Sequence, residues 1–374
     1  MSSAPLTTNE TDAALRVERA IFELRRGRAL EIYDDDRSSL FASVERLDAA
    51  EVTEFVARDR ILRLVISEER GRAMGIAAHR GATTIVCPDD THLSTLFELA
   101  AGATAARPLE DRRFRVAQAD ARATAAVVLA RHAKLIPALL QRAPRKPTGV
   151  QSHLSAGVCD IEAYPVTRGR ALQRVSRARV PLADSEKCEL IVYREKFGDG
   201  EHVAILIGSP DPTEPVPVRV HSACLTGDLL ASLRCDCGDQ LRGAIARIAQ
   251  LGGGALLYLA HEGRGIGLAN KLRAYALQDT GLNTLQADQH LGFLNDERDY
   301  AVACAMFRDL GFDRLVLMTN NPDKIAALEA CDLQVVDRMP LAAPVNPHNA
   351  RYMRTKREHA GHLDTETEGS ACLE

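Results

Sequence analysis

The sequence lacks several features that are common in secreted, membrane or nucleic-acid-binding proteins. The opening residues, MSSAPLTTNETDAALRVERA, do not have the basic and then apolar order of a signal peptide, and no apolar run approaches membrane-spanning length. The formal net charge of −4, with 26% charged residues, leaves no basic excess for binding nucleic acid. Internal repeats and low-complexity tracts are also missing. We therefore expect a cytoplasmic protein without membrane or nucleic-acid partners.

Cysteine is present, but its distribution does not indicate a disulfide framework. Nine cysteines, an odd number, are scattered over 374 residues, and we predict that they are reduced thiols. Three of them form the pattern Cys-x10-Cys-x-Cys, and no further cysteine or histidine follows at zinc-finger spacing. Three thiolate ligands leave one position of a tetrahedral zinc for water, as in catalytic sites. The candidate ligands are Cys224, Cys235 and Cys237.

The alternative for these three cysteines is that they are ordinary small buried residues. Their flanking sequence favours a metal site. VPVRVHS predicts a strand that ends at Ser222, a polar loop follows, and Gly238 begins a helical pattern. Cysteines at a strand end, in a loop and at a helix start can converge on one point.

The length of the chain predicts two domains with an α/β (mixed α+β) fold. Helical and strand-like segments alternate through the first half, and the stretch RAPRKPTG, rich in proline and arginine, marks its end. ELIVYRE and HVAILIGS predict a hairpin before the strand that leads to Cys224. We predict a disordered tail at 1–11, a domain at 12–145, a linker at 146–185, a catalytic domain at 186–364 and a tail at 365–374.

Three further segments carry residues suited to chemistry. HEGRGIGLANKLRAYALQD (261–279) supplies glycines for a tight turn, an arginine that can bind phosphate and a glutamate that can accept from a base or sugar hydroxyl. It matches neither the dinucleotide fingerprint nor the P-loop, so a structural turn is the alternative. LGFLNDERDY (291–300) crowds acidic residues ahead of a helix, where the helix dipole alone favours them. MTNNPDK presents amide and hydroxyl groups to an anion, or is simply a good helix cap.

Together with VRVHSACLTGDLLASLRCDCGDQL, these segments resemble GTP cyclohydrolase II in order and spacing, over about residues 185–364. The resemblance implies a mixed sheet flanked by helices and a hydrolase that acts on a cyclic amidine. It implies that GTP is converted to 2,5-diamino-6-hydroxy-4-(5-phosphoribosylamino)pyrimidine, formate and pyrophosphate, the first step of riboflavin biosynthesis. It also implies one Zn²⁺ per subunit, Mg²⁺ with the triphosphate and a homodimer.

The resemblance assigns roles residue by residue. It makes the three cysteines zinc ligands, Asp296 the proton acceptor and Arg298 the nucleophile toward the α-phosphate. A guanidinium is a poor nucleophile, so an electrostatic clamp is the alternative for Arg298. Three thiolates leave a net negative centre, and we expect Tyr275 to help polarise the water. The positions that match GTP-binding residues are Arg219, Gln240, Glu262, Gly263, Arg264, Thr284, Thr319 and Lys324.

Some positions depart from the family pattern. Ala223 and Gln286 stand where glutamate is common, and Asp288 stands where asparagine is common. Two alternatives therefore stay open: a paralogue that acts on another purine or pyrimidine ring, and a regulatory or scaffold protein that binds GTP without turnover. The intact cysteine set and the Asp296 and Arg298 pair speak against the second.

The first half resembles, more faintly, a 3,4-dihydroxy-2-butanone 4-phosphate synthase, through ALRVERAIFELRRGRALEIYDDDR (14–37). The acidic run that this chemistry needs after Asp-Arg is replaced by SSLFASVERL, although Asp34, Asp35 and Asp36 remain. We interpret this half as a degenerate domain kept for packing, dimer contact or regulation. Since every matched site residue lies downstream, we expect a chain that begins near residue 150 to keep cyclohydrolase activity if it stays folded.

Overall fold

The computed structural model describes residues 6–35, 37–57, 61–76, 80–103, 111–142, 154–342 and 344–359. These residues form two compact units. Among them, unit 1 contains residues 168–263 and 298–359, and unit 2 contains residues 6–167 and 264–297. Each unit combines a β-sheet with helices, so the predicted α/β fold class with two domains is confirmed.

The described secondary structure alternates along the chain. The strands are β1 (Leu30–Tyr33), β2 (Ser38–Ser43), β3 (Leu62–Ser67), β4 (Ala82–Cys87), β5 (Arg115–Gln118), β6 (Ala138–Gln141), β7 (Ser155–Gly157), β8 (Leu172–Arg179), β9 (Cys188–Glu195), β10 (Glu201–Gly208), β11 (Val216–Ser222), β12 (Gly253–Leu259), β13 (Arg314–Met318) and β14 (Gln334–Met339). The helices are α1 (Thr8–Arg25), α2 (Ala49–Ala57), α3 (Glu68–Ala73), α4 (Leu93–Ala101), α5 (Ala121–His132), α6 (Val158–Arg170), α7 (Cys237–Gln250), α8 (Leu268–Asp279), α9 (Thr284–His290), α10 (Ala301–Leu310), α11 (Pro322–Glu329) and α12 (Ala350–His359).

Unit 1 is built on a mixed sheet in the order β14-β13-β11-β12-β10-β9-β8. Strands β14, β13, β11 and β12 run parallel to one another, whereas β10, β9 and β8 continue the sheet with antiparallel pairs. The predicted hairpin is β9 and β10, and the predicted strand before the first cysteine is β11. Strand β11 lies inside the sheet between β12 and β13, and its pairing with β12 continues to Ser222, where the cysteine loop begins.

Unit 2 is built on a second sheet in the order β5-β4-β3-β6-β2-β1-β7. All its neighbouring strands are antiparallel except β1 and β7. The segment 264–297 packs into the core of this unit. Its buried side chains Ile266, Leu277 and Phe293 join the same apolar cluster as Leu64 and Leu99.

The packing differs from the predicted domain bounds in several places. Helix α1 begins at Thr8, because Thr7 and Glu10 form a capping box, so the predicted tail is corrected for residues 8–11. The predicted linker 146–185 contains β7, α6 and β8. The predicted catalytic domain, 186–364, is not continuous, because residues 264–297 belong to unit 2. Residues 143–153, which hold most of the predicted boundary stretch, and Asp36 lie outside the described residues.

One pair of cysteines contradicts the prediction of reduced thiols. Cys304 on α10 and Cys331 after α11 form a disulfide, with their Cα atoms 6.3 Å apart. This separation lies within the range that a disulfide allows. The cysteines are separated by 27 positions in sequence, and only the packing of α10 against α11 brings them together.

Among the described residues, no helix is long and apolar enough to cross a membrane.

Arg70 on α3 is the largest fully buried side chain of unit 2. Its guanidinium donates to four backbone carbonyls: Leu99 O (2.8 Å), His290 O (2.7 Å), Glu98 O (2.7 Å) and Gly102 O (2.9 Å). Burial lowers its pKa to about 10, so the side chain is still charged at neutral pH. Arg70 thus ties the end of α4 to the end of α9.

We expect Arg70→Met to lower the free energy of unfolding by about 3 kcal/mol or more, because it strands several buried carbonyls without donors. Arg72→Ala is the matched control, since Arg72 is exposed and pairs with Glu68 one helical turn away, a contact typically worth about 0.5 kcal/mol or less. Urea unfolding followed by far-UV circular dichroism measures both. Equal losses in the two variants would contradict the role given to Arg70.

Candidate functional site

The three candidate metal ligands converge in unit 1. Cys224 follows β11, Cys235 lies in the loop and Cys237 begins α7, as the sequence pattern predicted. Their sulfur atoms all lie within 4.8 Å of one another, and Cys224 Sγ is 3.8 Å from Cys235 Sγ. Contact with Cys224 raises the pKa of Cys235, and contact with both partners raises the pKa of Cys237 well above its ordinary value. A bound cation favours the thiolate forms instead, so this donor set fits a thiophilic metal.

Gly227 makes this convergence possible. Its N–H donates to Cys224 Sγ at 3.3 Å. A Cβ at this position would lie 2.8 Å from Cys235 Sγ, 2.9 Å from Cys237 Cβ and 3.0 Å from Cys224 Sγ. The backbone at Gly227 therefore fills the space where a side chain would push the three sulfurs apart.

Asp228, which no sequence pattern singled out, fixes the first cysteine. Its carboxylate accepts from Cys224 N–H at 2.9 Å and from the Tyr258 hydroxyl at 3.0 Å, and lies 3.2 Å from His221 Nε2. The His221 ring stacks on Tyr258. Burial lowers the pKa of His221, and Asp228 opposes this effect. The only signal in the sequence is a Gly-Asp pair shortly after the first ligand, which is also an ordinary turn.

A second chain of contacts leads from Arg219 towards the cysteines. Arg219 donates to Gln240 Oε1 at 2.5 Å and to Met318 O at 2.7 Å, and Gln240 donates to Asp236 Oδ2 at 2.6 Å. Burial lowers the pKa of Arg219 to about 10, with Asp236 opposing, so Arg219 is a cation at neutral pH. Two predicted nucleotide-binding residues are thereby joined to the residue before Cys237.

Glu262, Thr319 and Lys324 also lie in unit 1 and bind backbone groups. Glu262 accepts from Leu225 N–H at 2.6 Å, directly after the first ligand. Lys324 is buried, and its ammonium donates to Val220 O at 2.9 Å. Thr319 Oγ1 accepts from Asn321 N–H at 3.0 Å. These contacts shape the end of the parallel strands, and any role toward a nucleotide stays a prediction.

Arg298 begins the second part of unit 1. Its guanidinium carbon lies 5.3 Å from the centre of the Tyr300 ring. Arg298 also lowers the pKa of Arg219, which means that the two cations are close enough to repel each other. The next residue, Asp299, pairs with Arg168 at 3.0 Å. Arg219 and Arg298 therefore bring two positive charges to this part of a chain whose formal net charge is −4.

Four predicted site residues belong to unit 2: Arg264, Tyr275, Thr284 and Asp296. Arg264 has a positive φ of 58°, between glycines that also have positive φ. Tyr275 lies on α8 with Lys271 Nζ 5.8 Å from its ring centre, and Thr284 is the first residue of α9. Nearby, the carboxylate of Asp288 is 3.9 Å from Arg264 Nη1. Burial raises the pKa of Asp288 to about 7.

Comparison with known proteins finds relatives of this chain. The family model for GTP cyclohydrolase II matches residues 173–340. GTP cyclohydrolase-2 of Azospirillum brasilense is 42% identical in a match that covers 94% of this chain and 95% of that protein. This chain belongs to the GTP cyclohydrolase II family. GTP cyclohydrolase-2 of Xylella fastidiosa (strain 9a5c) is 38% identical over 94% of this chain and 87% of its own length.

Membership of the GTP cyclohydrolase II family confirms the predicted kinship, the class of enzyme and the link to riboflavin biosynthesis. Riboflavin biosynthesis protein RibBA of Chlorobium phaeovibrioides matches 54% of this chain with 45% identity, over 50% of its own length. Among solved structures, RibBX, a two-domain 3,4-dihydroxy-2-butanone 4-phosphate synthase from A. baumannii, covers 88% of this chain and matches along 100% of its own length. That match has 18% identity and a TM-score of 0.32, too low to define the fold of this chain.

We expect Gly227→Ala to lose metal binding, because the added Cβ would lie 2.8 Å from Cys235 Sγ and 2.9 Å from Cys237 Cβ, closer than such atoms approach in proteins. Gly243→Ala is the control, since a Cβ on that glycine of α7 meets nothing within 4 Å and alanine favours a helix. The measurement is zinc content per chain after dialysis, with circular dichroism to check folding. Full zinc content in folded Gly227→Ala would contradict this account of the cysteine loop.

Asp288 predicts a dependence of stability on pH. Its native pKa of about 7 exceeds the ordinary 3.8, so between these values the native state holds a proton that the unfolded chain has released. The stability that this bound proton gives the native state is fully present below about pH 4 and is lost as the pH rises to 7. We expect Asp288→Asn to be more stable than the parent at pH 8, by up to about 4 kcal/mol, and equally stable near pH 4.

Urea unfolding at a series of pH values tests this expectation. Asp90→Asn is the control, because Asp90 is exposed and pairs only at the surface with Arg113 in the described structure. A stability difference between Asp288→Asn and the parent that does not change with pH would show that Asp288 does not titrate as described.

Proposed function

We propose that this protein is a zinc-dependent GTP cyclohydrolase II that acts as a homodimer. It would convert GTP to 2,5-diamino-6-hydroxy-4-(5-phosphoribosylamino)pyrimidine, formate and pyrophosphate. The observation that carries the proposal is the convergence of Cys224, Cys235 and Cys237 in a chain that belongs to this family. A protein that only bound GTP would have no need for three crowded thiols built around Gly227.

The residues present fit the metal that the proposal requires. The three cysteines would hold the zinc, which when bound supplies Lewis acidity for hydrolysis. Asp228 and Glu262 accept from the backbone N–H groups of Cys224 and Leu225, and so fix the first ligand before any metal binds. Mg²⁺ would enter with the triphosphate. The ion and the protein cations would together neutralise the negative charge of the triphosphate.

The cations of unit 1 support binding of a polyanion. Arg219 keeps its charge in a buried position, and Arg298 lies close enough to lower its pKa. A phosphate between such cations relieves their repulsion and accepts charge-assisted hydrogen bonds. We propose that Arg298 acts as a clamp on the α-phosphate rather than as a nucleophile, because deprotonating a guanidinium is costly. Gln240, Gly263, Thr319 and Lys324 complete the proposed nucleotide contacts from this unit.

We assign the unit 2 residues by the same family pattern. Arg264 and Thr284 would contact GTP, Asp296 would accept the proton, and Tyr275 would help polarise the attacking water. These roles rest on position in the sequence. Support from the structure is indirect: Asp296 and Arg264 both act on the charge of Asp288, so they belong to one cluster of charges.

The first half of the chain we interpret as a synthase-like domain that has lost its own chemistry. Asp34 pairs with the buried Arg122 at 2.6 Å, and Arg122 also holds Asp120 at 2.6 Å. A carboxylate neutralised in this way is poorly placed to bind magnesium. We expect no conversion of ribulose 5-phosphate to the four-carbon phosphate.

Incubation of the full-length protein with GTP and Mg²⁺ tests the proposal, with separate assays for formate and pyrophosphate. Both products are expected. The absence of both products would contradict the proposal, and formate from a different nucleotide would favour the paralogue that the changes at Ala223, Gln286 and Asp288 permit. Detection of the four-carbon phosphate from ribulose 5-phosphate would show that the interpretation of the first half is wrong.

We expect mutation to separate the two halves of the reaction. Cys235→Ser removes one thiolate from the metal site, so formate release should fall to background while pyrophosphate is still released and GMP remains. Arg298→Ala removes a phosphate contact and should lower both products, because phosphate chemistry is proposed to come first. Product assays on both variants, with zinc content and circular dichroism, measure this. A folded Cys235→Ser that releases no pyrophosphate would show that the two steps are coupled.

A further inference from the structure

Arg131, in the last turn of α5, lies far from the family motifs in sequence but contacts one of them in unit 2. Its Nη2 donates to Gly292 O at 3.1 Å, and its Nε lies 3.3 Å from Glu297 Oε1. The same guanidinium binds the carboxylate of Glu69 on α3. The side chains of all three charged residues are at most 14% exposed. Arg131 therefore joins two helices of the first half to both ends of the segment 292–297.

The segment that Arg131 holds carries Asp296 and lies against Arg264. Glu297 Oε1 accepts from Leu294 N–H at 2.8 Å, which closes the loop on itself. Glu297 N–H donates to Arg264 O at 3.0 Å. A Cβ at Gly265 would lie 2.5 Å from Glu297 O, so the two backbones are in close contact. A shift of Glu297 would move both Asp296 and Arg264.

The electrostatics show why a cation is needed at this point. Burial raises the pKa of Glu297, and Glu69 and Asp296 raise it further, whereas Arg131 lowers it. Without Arg131, two buried carboxylates would face each other with no positive charge between them. Such an arrangement forces one carboxylate to take up a proton or to move towards solvent.

We propose that Arg131 is a positioning residue for the cyclohydrolase reaction, and that it acts by clamping Glu297 and Gly292 so that the loop holding Asp296 and Arg264 keeps one conformation. The proposal rests on the function proposed above for Asp296 and Arg264. It gives the first half of the chain a role that its own lost chemistry does not supply. It also replaces our expectation that a chain beginning near residue 150 keeps activity, since such a chain lacks Arg131 and Glu69.

The test uses the full-length protein with Arg131→Met, Arg131→Lys and Glu297→Gln, and Arg113→Ala as the control. Arg113 is an exposed arginine of the same unit that pairs with Asp90 and Asp111. Two measurements are made on each variant: kcat and KM for formate release from GTP, and hydrogen exchange at the amides of Leu294 and Glu297. Amides of β3 in unit 2 and β12 in unit 1 report overall folding.

For Arg131→Met we expect kcat/KM to fall at least tenfold and the Leu294 and Glu297 amides to exchange at least tenfold faster, with β3 and β12 unchanged. Arg131→Lys keeps the charge and should recover part of both losses, which a purely steric role would not produce. Glu297→Gln keeps the acceptor for Leu294 but loses the ion pair, so smaller losses are expected. Arg113→Ala should match the parent in both measurements.

Normal activity or unchanged exchange in Arg131→Met would overturn the proposal. If Arg131→Met loses protection in β3 as well, Glu297→Gln decides, because it is nearly isosteric: parent-like exchange and activity in that variant would overturn the clamp. If the parent itself releases no formate from GTP, the proposed function fails, and the exchange measurement still decides whether Arg131 holds the loop.

Discussion

The candidate centre depends on crowding: three sulfur atoms share a space so small that the residue beside them must be glycine. Thiols packed this closely resist ionisation, since each thiolate would repel the next. A cation removes that cost, which is why such a cluster is matched to a metal rather than to a nucleophile. The network around Asp228 and the contact of Glu262 with Leu225 hold this arrangement in place.

Local sequence predicted much of this centre. The cysteines lie within fourteen consecutive residues, 224–237, and the strand, loop and helix that carry them have strong patterns of their own. Several of the predicted nucleotide-binding residues also lie on or next to strands and helices of unit 1: Arg219, Gln240, Glu262, Thr319 and Lys324. Local sequence did not indicate Asp228, because one of its partners, Tyr258, lies on a strand thirty residues away. A short acidic residue in a turn gives no sign of such partners.

The larger errors concern which surfaces meet. Nothing in the local sequence indicates that Ile266, Leu277 and Phe293 pack with Leu64 and Leu99 rather than with the sheet that precedes them in sequence. The same holds for Cys304 and Cys331, whose pairing depends on helix packing. Arg131 and Glu69 are ordinary surface-type residues in their local helices, and only the acidic loop that arrives from the other half makes them a buried ion pair. Contacts of this kind are set by topology, which local pattern does not encode.

The discontinuity of unit 2 has a consequence for synthesis of the chain. Residues 6–167 leave the ribosome first, yet the core that they build still needs Ile266, Leu291 and Phe293, with the whole of 168–263 translated in between. Until residue 297 emerges, the apolar residues that receive this segment have no partner, and contacts of such long range form slowly. The first half must therefore wait, partly open, for the second. The unfinished core stays exposed to aggregation for as long as residues 168–263 take to be translated, so slower translation lengthens that exposure.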